Sequence, residues 1–158
     1  MPLGALTLLE AITSLWLGLA AIIDGCTRRI PNGLVVGGLI GIIALRIVLQ
    51  LETTSLAAAT AFLGSAVLLV LRSIGIWWRG QPGIGMGDVK LALVLGLGFG
   101  PPALIILWAG CMLAGLYGLV GLITRRLRRD ARLPLVPFLF AAAVLYVSLR
   151  SIGALPLP

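Results

Sequence analysis

The chain has 158 residues, of which 60% are hydrophobic and only 11% are charged. Soluble domains carry about 25% charged residues, so this composition excludes an ordinary soluble fold and indicates a protein that crosses a membrane several times. The formal net charge is +7, which in a membrane protein reflects topology, because basic residues collect in cytoplasmic loops. No basic patch is interleaved with aromatic residues, which argues against nucleic acid as a partner.

The residue types that are scarce exclude several classes of site. There is no histidine, which rules out a histidine metal site and a Ser-His triad. The two cysteines, Cys26 and Cys111, lie far apart, so neither a zinc knuckle nor a disulfide framework is expected. The N-terminus has no basic region, and Glu10 interrupts the first apolar run, which is unlike a signal peptide. We therefore expect the first helix to be retained.

The apolar segments predict an all-α fold, a polytopic membrane bundle of about six transmembrane segments in one integral domain, residues 1–158. The segments span residues 3–23, 34–51, 56–78, 89–100, 103–123 and 133–150. The fourth is short: its length of roughly 18 Å falls below a hydrocarbon core of about 30 Å. It fits as half of a hairpin that turns at residues 98–102.

The basic residues predict the orientation. Ten of the twelve flank alternate loops, namely Arg28, Arg29, Arg72, Arg79, Lys90, Arg125, Arg126, Arg128, Arg129 and Arg132. The positive-inside rule places those loops in the cytoplasm and both termini outside. The run from 125 to 132 also suits contact with the anionic headgroups of the lipid bilayer.

Two acidic residues share one predicted membrane depth. Asp24 ends the first segment and Asp88 begins the fourth, both on the cytoplasmic side. Each could be an interfacial aspartate that is either solvated or paired with a neighbouring arginine. If the two lie close, they cannot both ionise cheaply and share one proton. The ionised carboxylate can then take a proton from an attacking water while the other protonates the carbonyl oxygen, as in aspartic proteases.

The stretch before Asp88 is rich in glycine. Gly83, Gly85 and Gly87 form either a flexible loop, a close packing surface between helices, or a path for an extended substrate backbone. No GK[ST] follows, so a phosphate-binding loop is excluded. Lys90 is either a cytoplasmic anchor or a residue that holds the acidic loop or biases the pair electrostatically.

Two further ionisable residues lie toward the opposite side. Glu10 and Arg46 fall on adjacent antiparallel segments, and buried ionisable residues usually pair. We expect a structural ion pair between them in preference to a catalytic role for Glu10.

Two motifs give the chain a resemblance to the type IV prepilin peptidases. The first is Asp24 followed by Ile30-Pro31-Asn32, and the second is GxGDxK, here Gly85-Met86-Gly87-Asp88-Val89-Lys90. A third similarity is the proline-containing start of the last segment, residues 133–139. The resemblance covers nearly the whole chain.

The resemblance implies a membrane aspartyl endopeptidase in which Asp24 and Asp88 are the catalytic pair and which needs no metal or cofactor. It implies a pilin-like or pseudopilin precursor whose short basic leader ends in Gly and is cut at the cytoplasmic face of the bacterial inner membrane. Longer members carry an N-terminal insertion with CxxC motifs and methylate the product. This chain resembles the short enzymes of tight-adherence (Flp-type) pilus systems, so no methyltransferase activity is expected.

Two alternatives remain at this point. Presenilin-like proteases, which cut within the bilayer, share GxGD, but they have a Tyr-Asp pair where this chain has Ile23 before Asp24. A non-catalytic membrane protein, such as a proton-coupled carrier, a scaffold or a degenerate peptidase, also explains intramembrane carboxylates.

Overall fold

The computed structural model describes residues 3–27, 30–80, 84–126 and 134–152. Within these ranges it contains six helices: α1 (Leu3–Thr27), α2 (Asn32–Val48), α3 (Thr54–Arg79), α4 (Met86–Phe99), α5 (Pro102–Ile123) and α6 (Val136–Ser151). The predicted all-α fold is confirmed. Residues 4–27, 54–78 and 102–123, in α1, α3 and α5, form spans long and apolar enough to cross a membrane.

Four predicted boundaries need correction. The second helix ends at Val48 and not at residue 51, and the fourth begins at Met86 and not at residue 89. The first helix does not end before Asp24 but continues to Thr27, so Asp24 lies in its last turn. The last helix begins at Val136, because its prolines at 134 and 137 suit a coil before the helix and its first turn. Residue 133, the predicted start of this last helix, lies outside the described ranges.

The short helix α4 lies inside the bundle. It packs against α1, α2, α3 and α5, and its buried side chains point in all directions: Val89, Leu91, Ala92, Val94, Leu95 and Phe99. A helix that is apolar on every face belongs in an interior. It ends at Gly100, whose φ of 65° favours glycine, and Pro101 and Pro102 start α5.

Glycines let α4 approach its neighbours closely. A Cβ on Gly96 would lie 2.2 Å from the Ala61 Cα on α3, and one on Gly98 would lie 2.3 Å from the Thr13 Cγ2 on α1. Gly96 faces Ala61 and Gly100 faces Ala57, so α3 and α4 run antiparallel. This packing fixes where the first turn of α4 lies in the bundle.

Candidate active site

Asp24 is a buried carboxylate at the end of α1. Its side chain is only 6% exposed, and its Oδ2 has no hydrogen-bond partner among the residues that the structure describes. The backbone N–H of Val136, the first residue of α6, lies near the carboxylate and favours its charged form. The start of α6 therefore lies beside the Asp24 side chain and leaves Oδ2 available for another group.

Asp88 lies in the first turn of α4, outside the three spans of bilayer length. It is half-buried, and its Oδ2 accepts a hydrogen bond from the Gly85 N–H at 3.2 Å. An acidic side chain in this position caps the helix by satisfying a free backbone donor. The glycine-rich sequence before Asp88 thus forms the helix start that orients the carboxylate.

The structure brings Asp24 and Asp88 within electrostatic reach of each other. Burial, followed by the negative charge of Asp24, raises the pKa of Asp88 to about 6, against a smaller opposing effect of the Gly85 N–H. Two carboxylates close enough for the charge of one to act on the other can share a proton, so that one serves as an acid and the other as a base. They are predicted site residues that lie 64 positions apart in the sequence, so the fold supplies their proximity.

The connection between α1 and α2 packs over the start of α4. A Cβ on Gly87 would lie 3.1 Å from the Ile30 Cδ1, so the absence of a side chain lets this loop approach. Lys90 Nζ donates a hydrogen bond to Asn32 Oδ1 at 2.9 Å. Pro31, whose φ is −61° and ψ is 135°, precedes α2, and its carbonyl accepts the N–H of Leu34. The two sequence motifs are therefore joined by direct contacts.

These contacts bear on the glycines and on Lys90. Gly85 supplies a backbone donor and Gly87 a close contact, whereas Gly83 lies outside the described ranges. The bond from Lys90 to Asn32 favours holding the acidic loop over the two other roles considered for this lysine.

Three groups near the site were not predicted from the sequence. The Val136 N–H was hidden because a backbone group leaves no sequence signal beyond the proline-containing start of α6. Cys111 on α5 lies close enough to Asp88 for the carboxylate charge to act on its thiol. Arg72 donates to the carbonyl of Ile84 and so holds the segment before Asp88; the sequence suggested only a topological role for it.

The predicted ion pair between Glu10 and Arg46 is wrong. Glu10 instead forms a buried salt bridge with Arg150 on α6, while Arg46 Nε donates to the carbonyl of Leu97 on α4. The prediction considered only the sequence-adjacent helix α2, but α1 packs more extensively against α6. Among the described residues, no three acidic or cysteine side chains come together as a metal-ligand set.

Comparison with known proteins yields one match. A family model described as the type IV leader peptidase family matches residues 11–149. This range includes both carboxylates, Asp24 and Asp88, and the contacts that join their loops. No curated protein and no solved structure matches the chain significantly.

Proposed function

The chain belongs to the type IV leader peptidase family, and from this premise we propose that it is an aspartic endopeptidase that removes the leader of pilin-like precursors. Membership of the family establishes a leader-peptidase-like protease. The aspartic mechanism, the precursor and the side of the membrane are the proposed parts.

One observation carries the aspartic mechanism. Asp24 is buried, and within the described part of the chain its Oδ2 has no hydrogen-bond partner. Its charge acts on Asp88, which belongs to a different helix. A buried carboxylate oxygen without a partner is costly in a folded protein. Such an unfavourable arrangement is explained if that oxygen accepts a proton from the attacking water during catalysis.

The two carboxyls divide the chemistry. Asp88, whose pKa is raised to about 6, holds the shared proton and donates it to the oxygen of the scissile carbonyl. Asp24, whose carboxylate lies near the Val136 N–H, accepts a proton from the water as the water attacks the carbonyl carbon. Proton transfer by positioned carboxyls contributes about 10²–10⁴-fold to such reactions. As the tetrahedral intermediate collapses and its C–N bond breaks, Asp24 gives its proton to the leaving amine, and a hydroxyl of the intermediate returns a proton to Asp88 as the new carbonyl forms.

The depth of the pair supports a precursor anchored in the bilayer. Asp24 lies in the last turn of α1 and Asp88 in the first turn of α4. Because α3 runs antiparallel to α4, the C-terminal end of α3 lies on the same side of the bundle. Exposed Trp77 and Trp78 near that end suit the headgroup level. We propose that the cut bond lies at the cytoplasmic face, next to the apolar segment that follows the leader.

Cleavage of a purified precursor tests the proposed function. The protein in detergent is mixed with a pilin-like precursor, and the product is identified by its new N-terminus. We expect a single cut after the leader, with the same rate in the presence of a metal chelator, because two carboxyls supply the acid and the base. Loss of cleavage with the chelator, restored by added metal, would contradict the aspartic mechanism.

A further inference from the structure

The side chain of Arg46 extends into the protein and not toward water. It lies in the last turn of α2, and an arginine near the end of a membrane helix ordinarily extends its guanidinium toward water. Here the side chain is only 2% exposed, and its Nε donates to the carbonyl of Leu97 on α4 at 2.5 Å. The charge has given up its hydration for a contact with another helix.

The end of α4 explains this contact. The last four carbonyls of a helix lack partners within the helix, and the C-terminus carries partial negative charge. The Gly100 N–H donates a hydrogen bond to the carbonyl of Gly96, and Arg46 Nε donates one to the carbonyl of Leu97. Because Gly98, Phe99 and Gly100 are buried, water does not readily take the place of Arg46.

Helix α2 therefore holds α4 near both of its ends. Asn32, at the start of α2, accepts a hydrogen bond from Lys90 in the first half of α4, and Arg46 donates to Leu97 near the other end. Asp88 lies two residues before Lys90. Any shift of α4 along its axis moves Asp88 relative to Asp24, which belongs to α1.

We infer that Arg46 is a positioning residue, which caps the C-terminal end of α4 and thereby sets the place of Asp88 relative to Asp24. The inference rests on the proposed function for its consequence in catalysis. The contact itself does not depend on that function.

Three substitutions separate the hydrogen bond from the charge. Glutamine carries an amide nitrogen as many bonds from Cα as the arginine Nε, so Arg46→Gln keeps a donor and removes the charge. Arg46→Lys keeps the charge and a donor. Arg46→Met keeps the bulk and removes both.

Kinetics on folded, monodisperse protein measure the effect. We expect Arg46→Met to lower kcat by at least about tenfold while KM stays within about twofold, because substrate binding does not involve Arg46. Arg46→Lys should return kcat to within about threefold of the wild type, with Arg46→Gln between the two. A kcat for Arg46→Met within about twofold of the wild type would overturn the inference.

A second pair of substitutions controls for general loosening. Arg150 is also buried, but its ion pair joins α1 to α6. The double change Glu10→Gln with Arg150→Met removes a buried arginine without leaving an unpaired charge. We expect its kcat to stay within about twofold of the wild type. A loss equal to that of Arg46→Met would show that any buried change disturbs the site and would refute a specific role for Arg46.

Hydrogen exchange gives a readout that does not need activity. Amides of residues 96–100 should lose protection in Arg46→Met and keep it in Arg46→Lys. If the wild type cleaves no precursor but exchange follows this pattern, the proposed function fails and the cap stands. Unchanged protection of these amides in Arg46→Met would overturn the inference that Arg46 caps α4. This readout also decides the question if all variants fold but are inactive.

Discussion

The contact between α3 and α4 gives a prediction whose size follows from the structure. A Cβ on Gly96 would lie 2.2 Å from the Ala61 Cα, 2.5 Å from its N and 2.7 Å from its Cβ. Ordinary contacts begin at 3.4 Å, so Gly96→Ala must separate the two backbones by 3.4 − 2.2, or roughly 1.2 Å. The obstacle is backbone, which cannot rotate out of the way.

The expected cost is substantial for one methyl group. Inserting a methyl into a packed core costs about 1–3 kcal/mol, and alanine regains up to about 1 kcal/mol from its better helix propensity. Since the clash is with backbone, we place the net loss near the upper end, at about 2 kcal/mol. For a chain of this size this corresponds to a fall of about 4–8 °C in Tm.

Gly37→Ala is the matched control. Gly37 lies inside α2, and a Cβ there would meet nothing within 4 Å. This variant should therefore be as stable as the wild type or slightly more stable. Thermal unfolding of both variants in the same detergent provides the measurement. A Tm for Gly96→Ala equal to that of Gly37→Ala would refute the close packing of α3 and α4.

Three further predictions concern the charged residues. Glu10→Gln alone should lower the yield of folded protein more than Glu10→Gln combined with Arg150→Met, because the single change leaves a buried arginine unpaired; a double variant with the lower yield would contradict the pair. Lys90→Met and Asn32→Ala should lower kcat by similar factors and the double variant by no more than either, since both remove one hydrogen bond; multiplying losses would exclude that shared bond. Because the pKa of Asp88 is raised to about 6, the folded state holds more protons than the unfolded state between the ordinary aspartate pKa and pH 6, so stability falls as pH rises through this window. Asp88→Asn should therefore unfold at a higher temperature than the wild type at pH 7.5 and lose this advantage toward pH 4, and an equal difference at both pH values would argue against a raised pKa.

Much of the fold could be predicted because a bilayer makes the pattern simple. The lengths of the apolar segments and the positions of the basic loops predicted six helices, and the fourth was predicted to be short from its length alone. The end of α1 was misjudged because Asp24 and Gly25 resemble a helix end, whereas the helix continues through both to Thr27, whose hydroxyl donates to the carbonyl of Ile23.

The candidate site could be predicted only as far as residue depth allows. Depth predicted Asp24 and Asp88 at one level, and in the structure the charge of Asp24 acts on Asp88. Depth does not determine which helices are neighbours, so Glu10 was paired with Arg46. Its actual partner, Arg150, lies on α6, which packs against α1. The Val136 N–H and the carbonyl of Leu97 are backbone groups, and their roles depend on where a helix begins or ends in space.

The most direct test of the account is precursor cleavage by Asp24→Asn and Asp88→Asn. Asparagine keeps the size of each side chain and removes the group that transfers a proton. We expect each variant to reach the membrane at the level of the wild type and to cleave a pilin-like precursor at least about a hundredfold more slowly. Cleavage by either variant at more than about a tenth of the wild-type rate would contradict the two-carboxylate mechanism.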